Sequence, residues 1–193
     1  MSIADFRNLA TGETGEITGV ITTVPGSYGG SRFAIQDETA GIYVNYSDDT
    51  LAMGDEVTLR GERGAFNGEV QISVVEHELL VSDVNVPAPR VNAISDITKA
   101  DEGQILTIEN VEITAMDVQS YDTFEFIAVN GEESFTVRVD NRTGLDATNF
   151  SFVEGDVVNV TGLISEYVTK EEEIDVSILQ IKPRFIEDIV VAK

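Results

Sequence analysis

Gly54-Asp55-Glu56-Val57-Thr58-Leu59-Arg60-Gly61 returns later in the chain as Gly155-Asp156-Val157-Val158-Asn159-Val160-Thr161-Gly162, with the flanking glycines seven positions apart in both. In the first copy Val57 and Leu59 alternate with Thr58 and Arg60, the period of a half-buried strand entered through a Gly-Asp turn. Upstream, Gly15-Glu16-Ile17-Thr18-Gly19-Val20-Ile21-Thr22 is echoed by Gly103-Gln104-Ile105-Leu106-Thr107-Ile108-Glu109-Asn110. Between these anchors, Arg32 to Ile35 and Gly41 to Asn45 parallel Phe124 to Ile127 and Phe135 to Val139. One order of segments occurring twice marks two copies of one module. The second is longer: Gly15 to Gly54 is 39 positions and Gly103 to Gly155 is 52. The copies meet at Asn85-Val86-Pro87-Ala88-Pro89-Arg90, where two prolines favour an extended, stiff connector. The reading therefore divides the chain into a module over 1–84, a linker over 85–90 and a diverged module with longer loops over 91–193.

Working outward through the first copy, five strands are expected. Ile17 to Val24 is β-branched and stops at Pro25-Gly26. Arg32 to Gln36, Ile42 to Tyr46, Glu56 to Glu62 and Glu69 to Val75 follow, with loops at 26–31, 37–41, 47–55 and 64–68. Ser2, with Asp5 three residues on, is the expected N-cap of a short leading helix, and Val91 to Thr98 holds the corresponding place before the second copy. Five strands, a long connection after the third and a glycine at 19 where a first strand must coil point to an all-β chain of two tandem OB-folds, each a five-stranded Greek-key barrel. An immunoglobulin-like sandwich would need about seven strands per copy.

The stretches Ser2 to Leu9, Thr14 to Thr22, Phe33-Ala34-Ile35-Gln36-Asp37-Glu38-Thr39-Ala40-Gly41-Ile42, Gly54-Asp55-Glu56-Val57 and Phe66-Asn67-Gly68-Glu69-Val70-Gln71-Ile72 resemble the YhcR-type OB-fold domains of secreted bacterial nucleases and phosphoesterases. The first copy fits over most of its length. The second departs, with Ala128 to Glu133 in place of the Gln-Asp-Glu-Thr turn and Tyr167 to Glu173 in place of Phe-Asn-Gly-Glu. The resemblance implies a non-catalytic accessory module, secreted or on the bacterial cell surface, beside a catalytic domain of a longer chain, binding single-stranded DNA or RNA. The alternatives are a spacer that binds no nucleic acid and, more remotely, a sugar-binding module.

Composition narrows the chemistry. The 193 residues include no cysteine and one histidine, His77, which excludes disulfides, thiolate metal sites, a cysteine nucleophile and a histidine-rich metal site. No apolar run approaches the roughly 18 residues of a membrane span, so no membrane partner is expected. Met1 to Phe6 lacks the basic and apolar regions of a signal peptide, which leaves a cytoplasmic protein or a domain of a longer one. There is no P-loop, G-x-G-x-x-G, G-x-S-x-G or H-E-x-x-H motif, and His77, between Glu76 and Glu78, reads as a barrel-end residue; no enzyme activity is expected. Thirty-five acids against twelve bases give a net charge of −23, an acidic, halophilic type of surface. The charge is spread over both copies: 14 acids and 5 bases through Arg90, 21 and 7 beyond it.

OB-folds present strands two and three, flanked by the loops after strands one and four, to oligonucleotides. Such a face needs aromatic platforms and cations. In the first copy these are Tyr28, Arg32, Tyr43, Asn45, Arg60, Arg63, Phe66 and Asn67, with Tyr43 and Asn45 expected to point out because Ile42 and Val44 point in. In the second copy Tyr121, Phe124, Arg138, Arg142, Tyr167 and Lys170 take similar places. Loop carboxylates Asp37, Glu38, Asp48 and Asp49 are the candidate oxygen ligands for a cation, Ca²⁺ by preference; no other cofactor is expected.

Overall fold

The computed structural model describes residues 1–30, 32–46, 48, 50–171 and 174–193, with the side chains of 170, 171 and 174 outside that description. The described chain is all-β apart from short helical turns. A one-turn helix α1 (Ile3–Arg7) opens it; Ser2 caps α1 by accepting from the Asp5 N–H at 3.1 Å, as its sequence predicts. Five strands follow: β1 (Thr14–Ile21), β2 (Phe33–Gln36), β3 (Gly41–Asn45), β4 (Glu56–Phe66) and β5 (Glu69–Val81). They close into a barrel in the order β1-β2-β3-β5-β4, in which only β3 and β5 run parallel. The coiling expected of the first strand is present, since Val20 pairs with Gln36 of β2 on one side and Glu56 of β4 on the other. Ile17, Phe33, Ile35, Ile42, Val57, Leu59 and Ile72 fill the barrel, and Ile3 and Phe6 of α1 cap one end.

The second half contributes β6 (Arg90–Val91), β7 (Ile105–Val118), β8 (Phe124–Asn130), β9 (Glu133–Val139), β10 (Val157–Glu171), β11 (Ile174–Lys182) and β12 (Ile189–Val191). They form one seven-stranded sheet with an additional β10–β7 pairing. Arg90, at the end of the expected linker, joins this sheet through β6 beside β7. The pairings β7–β8, β8–β9, parallel β9–β11, β11–β10 and β10–β7 follow the sequence of pairings of the first half. Leu106, Ile108, Phe124, Phe126, Val137, Val158 and Ile181 form its core.

The repeated Gly-Asp motif is one local structure built twice. Gly54 and Gly155 both sit at φ +94, a left-handed conformation that favours glycine. The Gly54 N–H donates to Ile21 O and the Gly155 N–H to Ile113 O, each at 2.9 Å. The next residue's carboxylate, Asp55 or Asp156, accepts from the amide three residues before it, Ala52 or Val153, again at 2.9 Å. The spacing is thus fixed by a turn that ties the entry of the fourth strand to the first.

The expected loop over 64–68 is not one. β4 and β5 run on past the barrel as a long hairpin closed by Asn67-Gly68, at φ 50 and 92. An Asn-Gly pair at positive φ is the two-residue turn whose twist matches its flanking strands. β5 likewise continues beyond Val75, so His77 lies within a strand; its Nδ1 is 3.0 Å from the Tyr46 hydroxyl and its Nε2 3.3 Å from Asp48.

Candidate nucleic-acid interface

The outward face of β2 and β3 is the expected binding surface of the first half. Ile42 and Val44 do point inward, and Tyr43 does leave the barrel, but it is not exposed. Ala34 and Tyr43, with Tyr28 from the preceding loop, pack against Ile105 of β7 and Leu163 of β10 in a small core between the halves. The Tyr28 hydroxyl donates to the Lys182 and Pro183 carbonyls at 3.0 and 3.2 Å. Burial drives both tyrosine hydroxyls well above their ordinary pKa, with Glu69 adding to the effect at Tyr43 and Asp188 at Tyr28. Strand alternation gives the direction of Tyr43 correctly; what covers it is the other half of the chain.

Backbone and charge reinforce this contact. Gly41 and Gly103 touch face to face: a Cβ on either would overlap the other's backbone, and Gly103 holds φ +84 as well. Nearby, the Glu102 carboxylate is completely buried between Arg7 of α1, at 3.0 Å, and Lys99, also at 3.0 Å, while its other oxygen accepts from the Val70 N–H at 3.0 Å. Burial pushes the Glu102 carboxyl up against the opposing pull of these partners. Lys99 also pairs with Glu166 and donates to Gly68 O at the hairpin turn. The Val168 N–H donates to Asn67 O at 2.8 Å. The β4–β5 hairpin is thereby fastened onto β10.

This docking leaves a cleft of 520 Å³ between the halves, within the size range of ligand sites. One wall is the outward face of β8 and β9: Glu125, Ile127, Thr136 and Arg138. The other comes from the first half: Tyr28, Arg32, Tyr43, Phe66, Asn67 and Glu69. Tyr167, Gln180 and Lys182 of the β10–β11 hairpin also line the cleft. Phe66 and Tyr167 keep 46% and 44% of their surface exposed, enough for a flat ligand to stack on. The Arg32 guanidinium lies 4.2 Å from the Phe66 ring centre, and among the described residues it pairs with no carboxylate. Arg138 pairs with Glu125 and donates to Gln119 Oε1 at 3.1 Å. Beyond Gln119 and Arg138 the cleft runs into a second hollow of 540 Å³ holding Tyr121 and Arg142. Tyr121 is 86% exposed, and Arg142 is bonded to Asp140 at 2.7 Å. Burial works against the Asp140 charge, but its hydrogen bonds from Arg142 outweigh that and hold its carboxyl below the usual range.

The structure therefore brings Tyr28, Arg32, Tyr43, Phe66 and Asn67 to one cleft and leaves three expected residues elsewhere. Asn45 is exposed at the end of β3, away from the cleft. Arg60 lies on the outside of β4, 3.8 Å from Glu76. Arg63 reaches back to the Thr11 hydroxyl. In the second half Arg138, Arg142, Tyr121 and Tyr167 line the two hollows, whereas Phe124 is core, packed at 4.7 Å on Phe150. The side chain of Lys170 lies outside the described residues. Glu69, Gln180 and Lys182, none of them among the expected site residues, line the cleft floor; Glu69 lies in the Phe-Asn-Gly-Glu stretch but nothing there marks it for a site, and the pairing of the two halves brings it to the other two.

Of the carboxylates proposed for a cation, Asp37 and Asp48 hold local turns. Asp37 accepts from the N–H groups of Ile3, Thr39 and Ala40 and from the Thr39 hydroxyl, at 2.7–2.9 Å. Burial acts to raise its pKa, but these bonds outweigh it and hold it below the ordinary range. It thus ties α1 to the β2–β3 turn. Glu38 is exposed, and Asp48 accepts from both the N–H and the hydroxyl of Thr50. Asp49 lies outside the described residues. Among the described residues, no group of three or more acids or histidines is gathered as a metal would require, and no helix is long and apolar enough to cross a membrane.

No family model and no curated protein matches the chain. Among solved structures it is similar to an aspartyl-tRNA synthetase from Entamoeba histolytica, at 13% identity and TM-score 0.43, covering 54% of this chain and 21% of that one. The chain thus spans about a fifth of that synthetase's length. It is also similar to a HINa domain in complex with a 20-bp double-stranded DNA, at 15% identity and TM-score 0.44, covering 89% and 93%. A murine DNA-binding protein bound with double-stranded DNA matches at 13% identity and TM-score 0.46, covering 94% and 99%.

Proposed function

We propose that the chain is a tandem OB-fold module whose inter-barrel cleft binds single-stranded nucleic acid, with no catalytic step of its own. The observation that carries this reading is the cleft itself: the outward face of β8 and β9, the expected OB-fold binding surface, stays open and is walled by exposed aromatics and arginines from both halves. Bases stack on Phe66, Tyr167 and Tyr121, while Arg32, Arg138 and Arg142 lie along the same track for the phosphates. Stacking on aromatic side chains contributes roughly 1–3 kcal/mol per base and does not depend on net charge. That suits a protein of −23, which repels polyanions at long range. Salt shortens this repulsion, to a Debye length of roughly 3 Å at 1 M, so binding strengthens or holds as salt rises, opposite to a basic OB-fold. Following the family resemblance, the module serves a secreted bacterial nuclease or phosphoesterase by holding strands near its active site.

Fluorescence anisotropy with labelled oligo-dT, at low and molar salt and with and without Ca²⁺, tests the reading. Saturable binding that survives molar salt is the expected result; no binding up to about millimolar protein in every condition overturns it. The second reading, a rigid spacer, draws on the Gly41–Gly103 contact and the Glu102 ion pairs. It is the conclusion if no strand binds.

A further inference from the structure

The floor of the cleft has a polar pattern that stacking and phosphate contacts leave unused. Glu69 and Gln180 both line it, yet they are only 8% and 5% exposed. Ser165, fully buried, links them: its hydroxyl donates to Glu69 Oε1, and it accepts from Gln180 Nε2 at 3.3 Å. The direction is fixed by chemistry. A carboxylate only accepts, so the single Ser165 proton goes to Glu69, and Gln180 must turn its NH₂ to Ser165. Gln180 Oε1 is then an acceptor with no hydrogen bond among the described residues, and so is Glu69 Oε2. Neither is sealed from solvent, since Arg63 Nε is the one sealed, unpartnered side-chain atom among the described residues. Lys182 stands beside them, donating to Glu69 Oε1 at 3.0 Å and to the Tyr43 hydroxyl at 3.3 Å, with one ammonium proton to spare.

Two open acceptors next to a donor call for a ligand edge with two donors next to an acceptor. From this pattern, which rests on the cleft being the nucleic-acid site, we infer that the cleft selects bases carrying amino and imino N–H groups, guanine foremost, over thymine. Guanine offers N1–H, the N2 amino group and O6 along one edge. Thymine offers a single N–H between two carbonyls and would leave one buried acceptor unpaired, which costs more than the missing bond itself.

The test compares two thymine-rich strands of roughly 12 nucleotides, one with interspersed guanines and one with deoxyinosine at the same positions. The strands differ only in the 2-amino group. The guanine strand is expected to bind the wild-type protein roughly tenfold more tightly. Equal affinities would overturn the inference while leaving the cleft as a strand-binding site; failure of both strands to bind would overturn the site reading beneath it. Glu69→Gln is expected to remove most of the preference, with a thermal melt confirming that the variant folds. A preference that survives intact in the folded variant would also count against the assignment. The wild-type comparison needs no variant and stands alone if Glu69→Gln does not fold.

Discussion

Corresponding faces of the two halves meet opposite fates. On β2 and β3 the outward positions carry Ala34 and Tyr43, both buried against Ile105 and Leu163. On β8 and β9 they carry Glu125, Ile127, Thr136 and Arg138, which line an open cleft. The first half uses its β2–β3 face for docking; the second leaves its β8–β9 face open. The half that carries the sequence resemblance thus contributes one wall and, through Glu69, part of the floor of the proposed site, and the second half supplies the opposite wall and most of its cations. A side chain's use follows from what the neighbouring module leaves uncovered.

The largest expected effect comes from breaking the docking. Arg7→Ala strips a partner from a fully buried carboxylate, Glu102, and removing one member of a buried pair costs about 3–5 kcal/mol. For a chain of this length that lowers the melting temperature by roughly 6–20 °C. It is also expected to abolish strand binding, because the cleft exists only while the halves are docked. A normal melt, or full binding in a destabilised variant, would separate cleft from docking and break the comparison.

Next come the two faces themselves. Arg138→Ala and Tyr167→Ala are each expected to weaken oligonucleotide binding about tenfold, in line with a loss of roughly 1–3 kcal/mol, with little change in stability. Arg60→Ala and Asn45→Ala, on the first half but off the cleft, are expected to leave affinity unchanged. The reverse ordering in an anisotropy titration would return the site to the first half.

A smaller effect is expected where α1 meets the β2–β3 turn. Asp37→Ala removes an acceptor of four hydrogen bonds, among them the Ile3 N–H, and a cap of this kind is worth about 1 kcal/mol. The Asp37 carboxyl titrates below its unfolded value. Its contribution is therefore full above the unfolded pKa and is lost as pH falls through the lower folded one. Melting temperature against pH should show a shallower acid limb in Asp37→Ala than in the wild type, and the two curves should converge at low pH. Parallel curves would contradict the assignment.

Much of the fold is legible in the residues. The Gly-Asp turns, the alternation of Val57 and Leu59 with Thr58 and Arg60, and the Ser2 cap are local signals, and local signals survive folding. What the residues hide is the placement of one half against the other. Alternation says that Tyr43 leaves its barrel but not what it meets there. A clue did exist: Ala34 is a small residue on a face expected to be exposed, and small residues permit close approach. The Asn67-Gly68 pair was another, since it marks a tight turn between strands rather than a loop. The grouping of Glu69 with Gln180 and Lys182 had no such clue, because Glu69 lies more than a hundred residues before the other two and meets them only across the interface.

The asymmetry between the halves is tested most directly by amide hydrogen exchange on the wild-type protein with and without a saturating guanine-bearing single strand. The account predicts added protection in β8, β9 and the Asn67-Gly68 turn, and none at the far end of β5 around Val75 to Val81. Protection there instead, with β8 and β9 unchanged, would contradict it.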